Sequence, residues 1–487
     1  MTSQQFPGSG DSIRPMSRRR FFVYAAALGG GTALLAACRP SSPTAPPPTS
    51  APAPAKADPA APAKTDAAAA KPASAPAGGQ PASKLAGTRL TIIAGDWYVP
   101  ETNTMLDELV AKLSQDTGMD AKVERFAGEQ QVTKVASIVE SGTGGDIAVV
   151  RDFDAFLYAD KLVDVTQVAN EVDAAYGGWY DIARQCCVIN DQWKALMIGH
   201  APAAWNWRTD MFKAAGVEKF PDTFDELLVA AGKLNDKGTP VGMTLGRASG
   251  DGRSTNYPVL WGFGGKEFEA DGKTVAINSP ETIKAAEWYA EMYKVMDPGV
   301  TAWLDPDNNQ AFLAGKISAT INVNTVYLAA RTAAPTDPAK KQLIEVMDHA
   351  NWPSGPAGRF GHYNINLWAA FASSQNREGQ LAFLRAWHDR NFLPKWTKTG
   401  QSYFIPPFKG FENEDVWPDD PKLKIFRELN KVNRLAGTPG PPTRAAAQAV
   451  YNFVIADMFA SAATGKMKPE EAAAWAENEY KQIVAKT

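Results

Sequence analysis
The chain predicts an α/β fold built on a parallel sheet. Three observations carry this: a β-branched run from Arg89 to Ala94, an alternation of strand and helix patterns from there to Val150, and capped helix starts further on.

Before the fold comes a segment of another kind. Ser17-Arg18-Arg19-Arg20-Phe21-Phe22 leads into an uncharged apolar run from Val23 to Ala37. Paired arginines followed by aromatics fit a twin-arginine export signal, an address and not an anchor. A membrane-spanning helix needs roughly 20 apolar residues, more than this run offers. The run ends in Leu35-Ala36-Ala37-Cys38, which resembles the lipobox of bacterial lipoproteins. The resemblance implies cleavage before Cys38 and acylation of that residue, which would tie the chain to the lipid bilayer on the outer face of the cytoplasmic membrane. From Cys38 to residue 86 the sequence is mostly Pro, Ala, Ser, Thr and Lys, as in Ala45-Pro46-Pro47-Pro48. Such composition cannot bury enough apolar surface to fold. It is expected to be a tether with a reach of roughly 40 Å as coil to 140 Å as polyproline helix.

The body carries all 14 tryptophans of the 487-residue chain, enough for one large core or two lobes. Net charge is −3 and no basic cluster follows the signal, so nucleic acid is not an expected partner. His200, His349, His362 and His388 are scattered, and no HExxH, CxxC or His-x-His spacing occurs; no metal or cofactor is expected. Cys186 and Cys187 are adjacent. Two small buried residues are the ordinary reading, a strained vicinal disulfide the other.

Within the body, Arg89 to Ala94 predicts a strand that Gly95-Asp96-Trp97-Tyr98 breaks. Met105, Leu106, Leu109, Val110 and Leu113 recur at helical spacing, a short strand is expected around Lys122 to Phe126, and Val132, Val135, Ile138 and Val139 share a helix face before the strand Asp146 to Val150. This order closes as a parallel sheet with right-handed crossovers, whose ligands bind at the carboxyl ends of the strands. With strand order 2-1-3, the loops holding Trp97 and the pair Asp152 and Asp154 are neighbours on the crevice rim. Thr223 with Glu226 predicts a capping box, and Ser279 with Pro280 a second helix start. The tail from Ala445 to Ile483 predicts helices broken between Gly465 and Pro469.

Four segments then carry a resemblance: Ala204-Trp-Asn-Trp-Arg-Thr-Asp-Met-Phe-Lys-Ala-Ala-Gly216, Phe220-Pro-Asp-Thr-Phe-Asp-Glu-Leu227, Gln310-Ala-Phe-Leu-Ala-Gly-Lys-Ile-Ser-Ala-Thr-Ile321, and the strand from Gly361 to Ala370. In order and spacing they resemble the extracellular solute-binding proteins of ABC importers, in the carbohydrate group that includes maltose-binding protein. The resemblance implies a type II periplasmic-binding-protein fold, with two lobes on central mixed sheets joined by a multi-strand hinge. It implies an N-lobe of 87–204 plus 319–362 and a C-lobe of 205–318 plus 363–487, a monomer, ligand capture by closure, and delivery to a membrane permease. In place of the Gly and Trp that the family carries after Gly315-Lys316, this chain reads Asn322-Val-Asn324-Thr-Val-Tyr327, leaving Tyr327 and Asn324 as alternatives for the aromatic's role.

A sugar offers C–H faces that stack on aromatic rings and a rim of hydroxyls that carboxylates and amides bridge. The candidate contacts are therefore Trp97, Asp152, Asp154, Asn256, Trp261, Trp303, Asp305, Asn322, Asn324, Tyr363, Trp368 and Tyr403. For each Trp the alternative is a core position, and for Asp152 and Asp154 a helix cap. Asp305-Pro306-Asp307-Asn308-Asn309 lacks the Gly and distal Glu of a calcium loop, and Gly262-Phe-Gly264-Gly265 lacks the Lys-Ser/Thr of a phosphate loop. Other readings are a binder of a polyol phosphate or polyamine, and a secreted glycoside hydrolase using two carboxylates.

Overall fold
A computed structural model describes residues 84–487. The export signal, Cys38 and nearly all of the expected tether lie outside the described residues. Nine strands organise the body: β1 (Arg89–Gly95), β2 (Asp120–Phe126), β3 (Ile147–Arg151), β4 (Leu196–His200), β5 (Ala204–Arg208), β6 (Val241–Gly242), β7 (Ala319–Asn322), β8 (Met347–Ala350) and β9 (Ile365–Ala370). They form a five-stranded sheet in the order β2-β1-β3-β9-β4 and a four-stranded sheet in the order β8-β5-β7-β6.

The first sheet follows from the alternating pattern. Leu90, Ile92, Ile93 and Ala94 are buried, and β1 pairs in parallel with β2 along its whole length and with β3 at Ile92 and Ile93. Both crossovers are the expected helices, Pro100–Thr117 and Gly128–Ser141, packed through Leu106, Val110 and Leu113 and through Val135 and Ile138. Each ends at a glycine in the left-handed region, Gly118 and Gly142. β9 then adds antiparallel to the edge of β3 and β4 antiparallel to β9, making the sheet mixed.

The second sheet holds β5 between β8 and β7, both antiparallel to it. Around it lie helices that begin as the caps predict. Thr223 accepts from the Glu226 N–H while Glu226 reaches back to Thr223, and Ser279 accepts from the Thr282 N–H with Pro280 in the first turn. The tail folds as helices Arg444–Tyr451, Val454–Ala463 and Pro469–Val484, with a further break at Phe453, whose φ is 56°.

The lobe boundary differs from the expected one. β7 and β8, placed with the N-lobe in the sequence, hydrogen-bond to β5 in the second sheet, whereas β9, placed with the C-lobe, inserts between β3 and β4 in the first. The physical reason is pairing partner: β5 takes β8 and β7 on its two edges, and β9 fills the open edge of β3, so pairing across the fold and not order along the chain sets the boundary. The chain crosses between the sheets from His200 to Ala204, from Ala350 to Ile365, and again between the first-lobe contacts of Gly410 and the second-lobe contacts of Lys422. At the hinge, His200 and Ile405 exchange backbone hydrogen bonds at 3.2 and 2.8 Å, and the Ala201 N–H donates to the Asn364 carbonyl at 2.8 Å. Gly199 permits this approach, since a Cβ there would lie 2.7 Å from the Ile405 carbonyl oxygen. Cys186 and Cys187 are fully buried with free thiols, the ordinary reading.

Burial of ionisable groups makes a pH prediction. Burial lowers His200, His349, His362 and His388 to about 4 from 6.5. These rings stay neutral in the fold while the unfolded chain takes up protons below 6.5, so their contribution is complete above 6.5 and is lost as pH falls through 4. Burial raises Asp154 to about 6 and Glu267 to about 7, so those two contribute in the opposite sense, fully at low pH and progressively less as pH rises through 6 and 7. With the histidines outnumbering the acids, the melting temperature is expected to fall on acidification from pH 6.5 towards 4. A melting temperature that climbs steadily over that range would contradict this account.

Candidate functional site
A crevice runs between the sheets at the carboxyl ends of β1 and β3, the position the parallel topology predicts. Its first-lobe wall comes from Asp96, Trp97 and Tyr98 after β1, Gln131 on the helix Gly128–Ser141, and Arg151 at the end of β3. Its second-lobe wall comes from Gly250 and Asp251 at a helix start, Asp305, Asn309 and Asn322. Ala201, Asn364, Asn366 and Tyr403 close the hinge side.

Tyr98 is the exposed platform, at 46%. Its neighbours are held in place. Asn103 accepts from the Trp97 N–H at 3.2 Å and donates to the Asp96 carboxylate at 3.1 Å, folding the loop after β1 back on its helix. Gln131 donates to the Val149 carbonyl at 2.8 Å, which fixes it against β3. On the other wall, Asp305 caps the helix Asp251–Phe263, accepting from the N–H groups of Gly250 and Asp251 at 3.0 Å and from the Ser249 hydroxyl at 2.9 Å. Negative charge at a helix N-terminus is electrostatically favoured there. The Asn322 amide, at the end of β7, donates to Asn308 at 3.1 Å and accepts from the Thr325 hydroxyl at 3.1 Å.

The lobes already touch. Arg151 Nη1 lies 3.4 Å from the Ser249 hydroxyl across the crevice, and the free space between the walls is about 70 Å³. Small-molecule pockets ordinarily measure roughly 300–1,000 Å³. Entry of a solute therefore requires the lobes to part at the hinge.

Of the residues singled out in the sequence, Asp305, Asn322, Tyr403 and an edge of Trp97 line this crevice. Tyr403 is 8% exposed, packs 4.4 Å from Phe404, and burial pushes its phenol above the ordinary range. Trp97 is a core residue for the rest of its surface: it is 5% exposed and meets Trp396 at 5.4 Å, Phe404 at 5.8 Å and Trp387 at 6.0 Å.

The others stand elsewhere. Asp152 takes a φ of 42°, which turns its carboxylate from the crevice into the protein, where it accepts from the Ile365 N–H at 2.9 Å and pairs with Arg253 of the second lobe. Asp154 is buried, accepting from the Arg151 N–H at 2.8 Å and the Tyr451 hydroxyl at 2.6 Å. Asn256 is buried in mid-helix and donates to the Gly252 carbonyl one turn back at 2.6 Å. Trp261 stacks on His362 in the second-lobe core, 6.1 Å between rings, and Trp368 is fully buried in the aromatic cluster around Trp97. Trp303 packs over Gly242, where a Cβ would sit 2.6 Å from its ring. Asn324 is buried and donates to the Gln401 carbonyl at 2.7 Å, tying the lobes together. Tyr363 faces the opposite side of the hinge, its hydroxyl donating to the Asn430 carbonyl at 3.2 Å. Tyr327, the alternative aromatic, hydrogen-bonds Asp420 at 2.7 Å and is absent from the crevice lining.

Sequence reasoning missed Tyr98, Gln131, Arg151, Asp251, Asn309, Asn364 and Asn366. The signal for three of them was adjacency: Tyr98, Arg151 and Asn364 each neighbour a residue that was named.

Two α/β lobes, three crossings and a polar crevice between them define a hinged binding protein. The chain belongs to the bacterial extracellular solute-binding protein family, whose sequence profile matches residues 99–387. A binding protein of Brucella abortus (strain 2308) is 22% identical over 378 residues, 73% of this chain and 88% of that protein. Similar solved structures include a sugar transporter of Arthrobacter chlorophenolicus A6 with bound laminaribiose, with TM-score 0.68, 17% identity, and 81% of this chain and 99% of that one covered. Maltose-bound MalE3 of T. maritima also has TM-score 0.68, at 18% identity over 82% of this chain and 100% of that one. At these identities the structures establish the shared fold.

Proposed function
We propose that the chain is the solute-capturing component of an ABC importer and that its solute is a carbohydrate held between the lobes. One observation carries the reading: Tyr98 stands on the crevice beside Asp96, Gln131 and Arg151 of one lobe and opposite Asp251, Asn309 and Asn322 of the other. That is an aromatic plate surrounded by planar carboxylate, amide and guanidinium groups, the combination that C–H faces and vicinal hydroxyls require. Relatives in fold whose structures contain laminaribiose, maltose or tagatose support the same class. A solute touching both walls binds the closed arrangement better than the open one, and by that difference shifts the equilibrium towards closure. A membrane permease reads the closed surface, and Cys38, placed by its lipobox-like sequence, holds the chain near it. The described ionisable groups of the crevice serve as hydrogen-bonding partners in this reading, with no turnover.

The acidic balance of the crevice, with Asp96, Asp251 and Asp305 against Arg151, makes a polyamine the rival solute. A thermal-shift screen of mono- and oligosaccharides, polyols, polyol phosphates and polyamines separates them, because a ligand of the folded state raises the melting temperature by mass action. A neutral sugar is expected to give the shift and to be recovered unaltered. Tyr98→Ala is expected to lower its affinity about tenfold, roughly 1.4 kcal/mol, with the melting temperature of the free protein unchanged. A shift with polyamines alone, or hydrolysis of the sugar, would overturn the proposal.

A further inference from the structure
We propose a second ligand site on the reverse side of the hinge, one that takes a neutral, polyhydroxylated ring such as a sugar or a cyclic polyol. The cavity there measures about 530 Å³, within the roughly 300–1,000 Å³ of ordinary small-molecule pockets.

Its floor is the back of the segments that line the crevice. Ala201, Asn364 and Tyr403 face the crevice, whereas His200, Tyr363 and Ile405 face the rear cavity. At His200–Ala201 and Tyr363–Asn364 extended backbone sends successive side chains to opposite sides, and the bend at Tyr403–Phe404 does the same for the third segment, so one set of hinge segments serves two chambers.

The lining selects the ligand class. Tyr180, Tyr363, Pro407 and Phe408 supply flat apolar surface for C–H faces, and Asn430 and Glu412 supply hydroxyl partners. The rim charges already have partners. Arg427 lies 4.5 Å over the Trp417 ring and donates to the Glu412 carbonyl at 2.9 Å, Tyr180 donates to the Glu412 carboxylate, and Lys431 pairs with Glu428. The remaining charged residue of the lining, Asp181, is exposed to water. His200 is 3% exposed and its imidazole is joined to the Asn430 side chain. The lining mixes Asp181, Glu412 and Glu428 with Arg427 and Lys431, so it gathers no cluster of one sign for an ionic ligand, whereas a neutral one gives up no charge hydration on entering.

Position gives the site a consequence. Tyr180 and Phe408 belong to the first lobe and Arg427 and Lys431 to the second, so the bend that opens the crevice narrows the rear cavity. An occupant behind the hinge therefore favours the closed arrangement and raises affinity at the crevice, and the coupling is reciprocal.

The test is calorimetric titration of glucose, maltose and myo-inositol, each separately, into the purified full chain and into its Trp417→Ala, Tyr180→Ala and Asp251→Ala variants. Trp417 lies outside the crevice and the hinge, and circular dichroism establishes that each variant is folded. With at least one probe we expect a binding event that survives Asp251→Ala and weakens about tenfold or more in both rear-site variants. If every binding event disappears with Asp251→Ala and is untouched by Trp417→Ala, or if none of the three probes binds, the rear site is refuted. A rear-site event with no Asp251-dependent event beside it would instead count against the crevice.

Discussion
Arg253→Leu is expected to destabilise the protein by about 3–5 kcal/mol, because it strips the partner from a buried charge. Asp152 and Arg253 are only 3% and 6% exposed at their side chains, and they join the end of β3 in one lobe to the helix Asp251–Phe263 in the other. The Asp152 carboxylate also accepts from the Ile365 N–H at the start of β9, so the pair sits where the lobes and the hinge meet. Replacing both members removes the orphan: Asn at 152 tolerates the positive φ and keeps an acceptor for Ile365, while Leu at 253 fills apolar space. Urea denaturation of Arg253→Leu, Asp152→Asn and Asp152→Asn/Arg253→Leu measures this. The double variant is expected to recover a large part of the loss. A double variant as unstable as the sum of its two single changes would mean that the charges act independently.

Trp97→Ala is the second large effect, with an expected loss of about 3–5 kcal/mol for emptying a large aromatic site. Trp97 is the centre of a cluster in which Trp368, Trp387, Trp396 and Phe404 all lie within 6.4 Å. These rings come from the first sheet, from two helices and from the hinge segment before Ile405, so the cavity cannot collapse without moving several elements. The melting temperature should drop steeply. A variant that melts like the parent but binds solute poorly would restore Trp97 to the role of a ligand platform.

That reversal shows where a sequence can be read and where it stops. The succession of strands and crossover helices and the helix caps were legible, because hydrophobic period and capping chemistry are local, and the crevice at the ends of β1 and β3 followed once the strand order 2-1-3 was assumed. Side-chain direction in the loops was not. Trp97 was chosen where Tyr98 is the exposed ring, Asp152 where Arg151 lines the wall, and Tyr363 where Asn364 does. The choices of Asp152 and Tyr363 found the segment and missed by one residue, and in extended chain one residue reverses the face, while Trp97 reaches the crevice by an edge alone. At Asp152 the cause is specific, since its positive φ re-aims the carboxylate. The lobe boundary failed for a different reason. Whether β7 and β9 join one sheet or the other depends on pairing with strands more than a hundred residues away, which no local pattern encodes.

The central claim is that solute is held by both walls of the crevice, with Tyr98 as the stacking surface. It is tested most directly by a crystal structure of the protein grown with the sugar that gives the largest thermal shift. The account predicts a sugar ring against Tyr98, with hydroxyls bonded to Asp96 or Arg151 on one side and to Asp251 or Asn322 on the other. A structure in which the crevice holds no sugar, or in which the sugar touches one lobe alone, would contradict it.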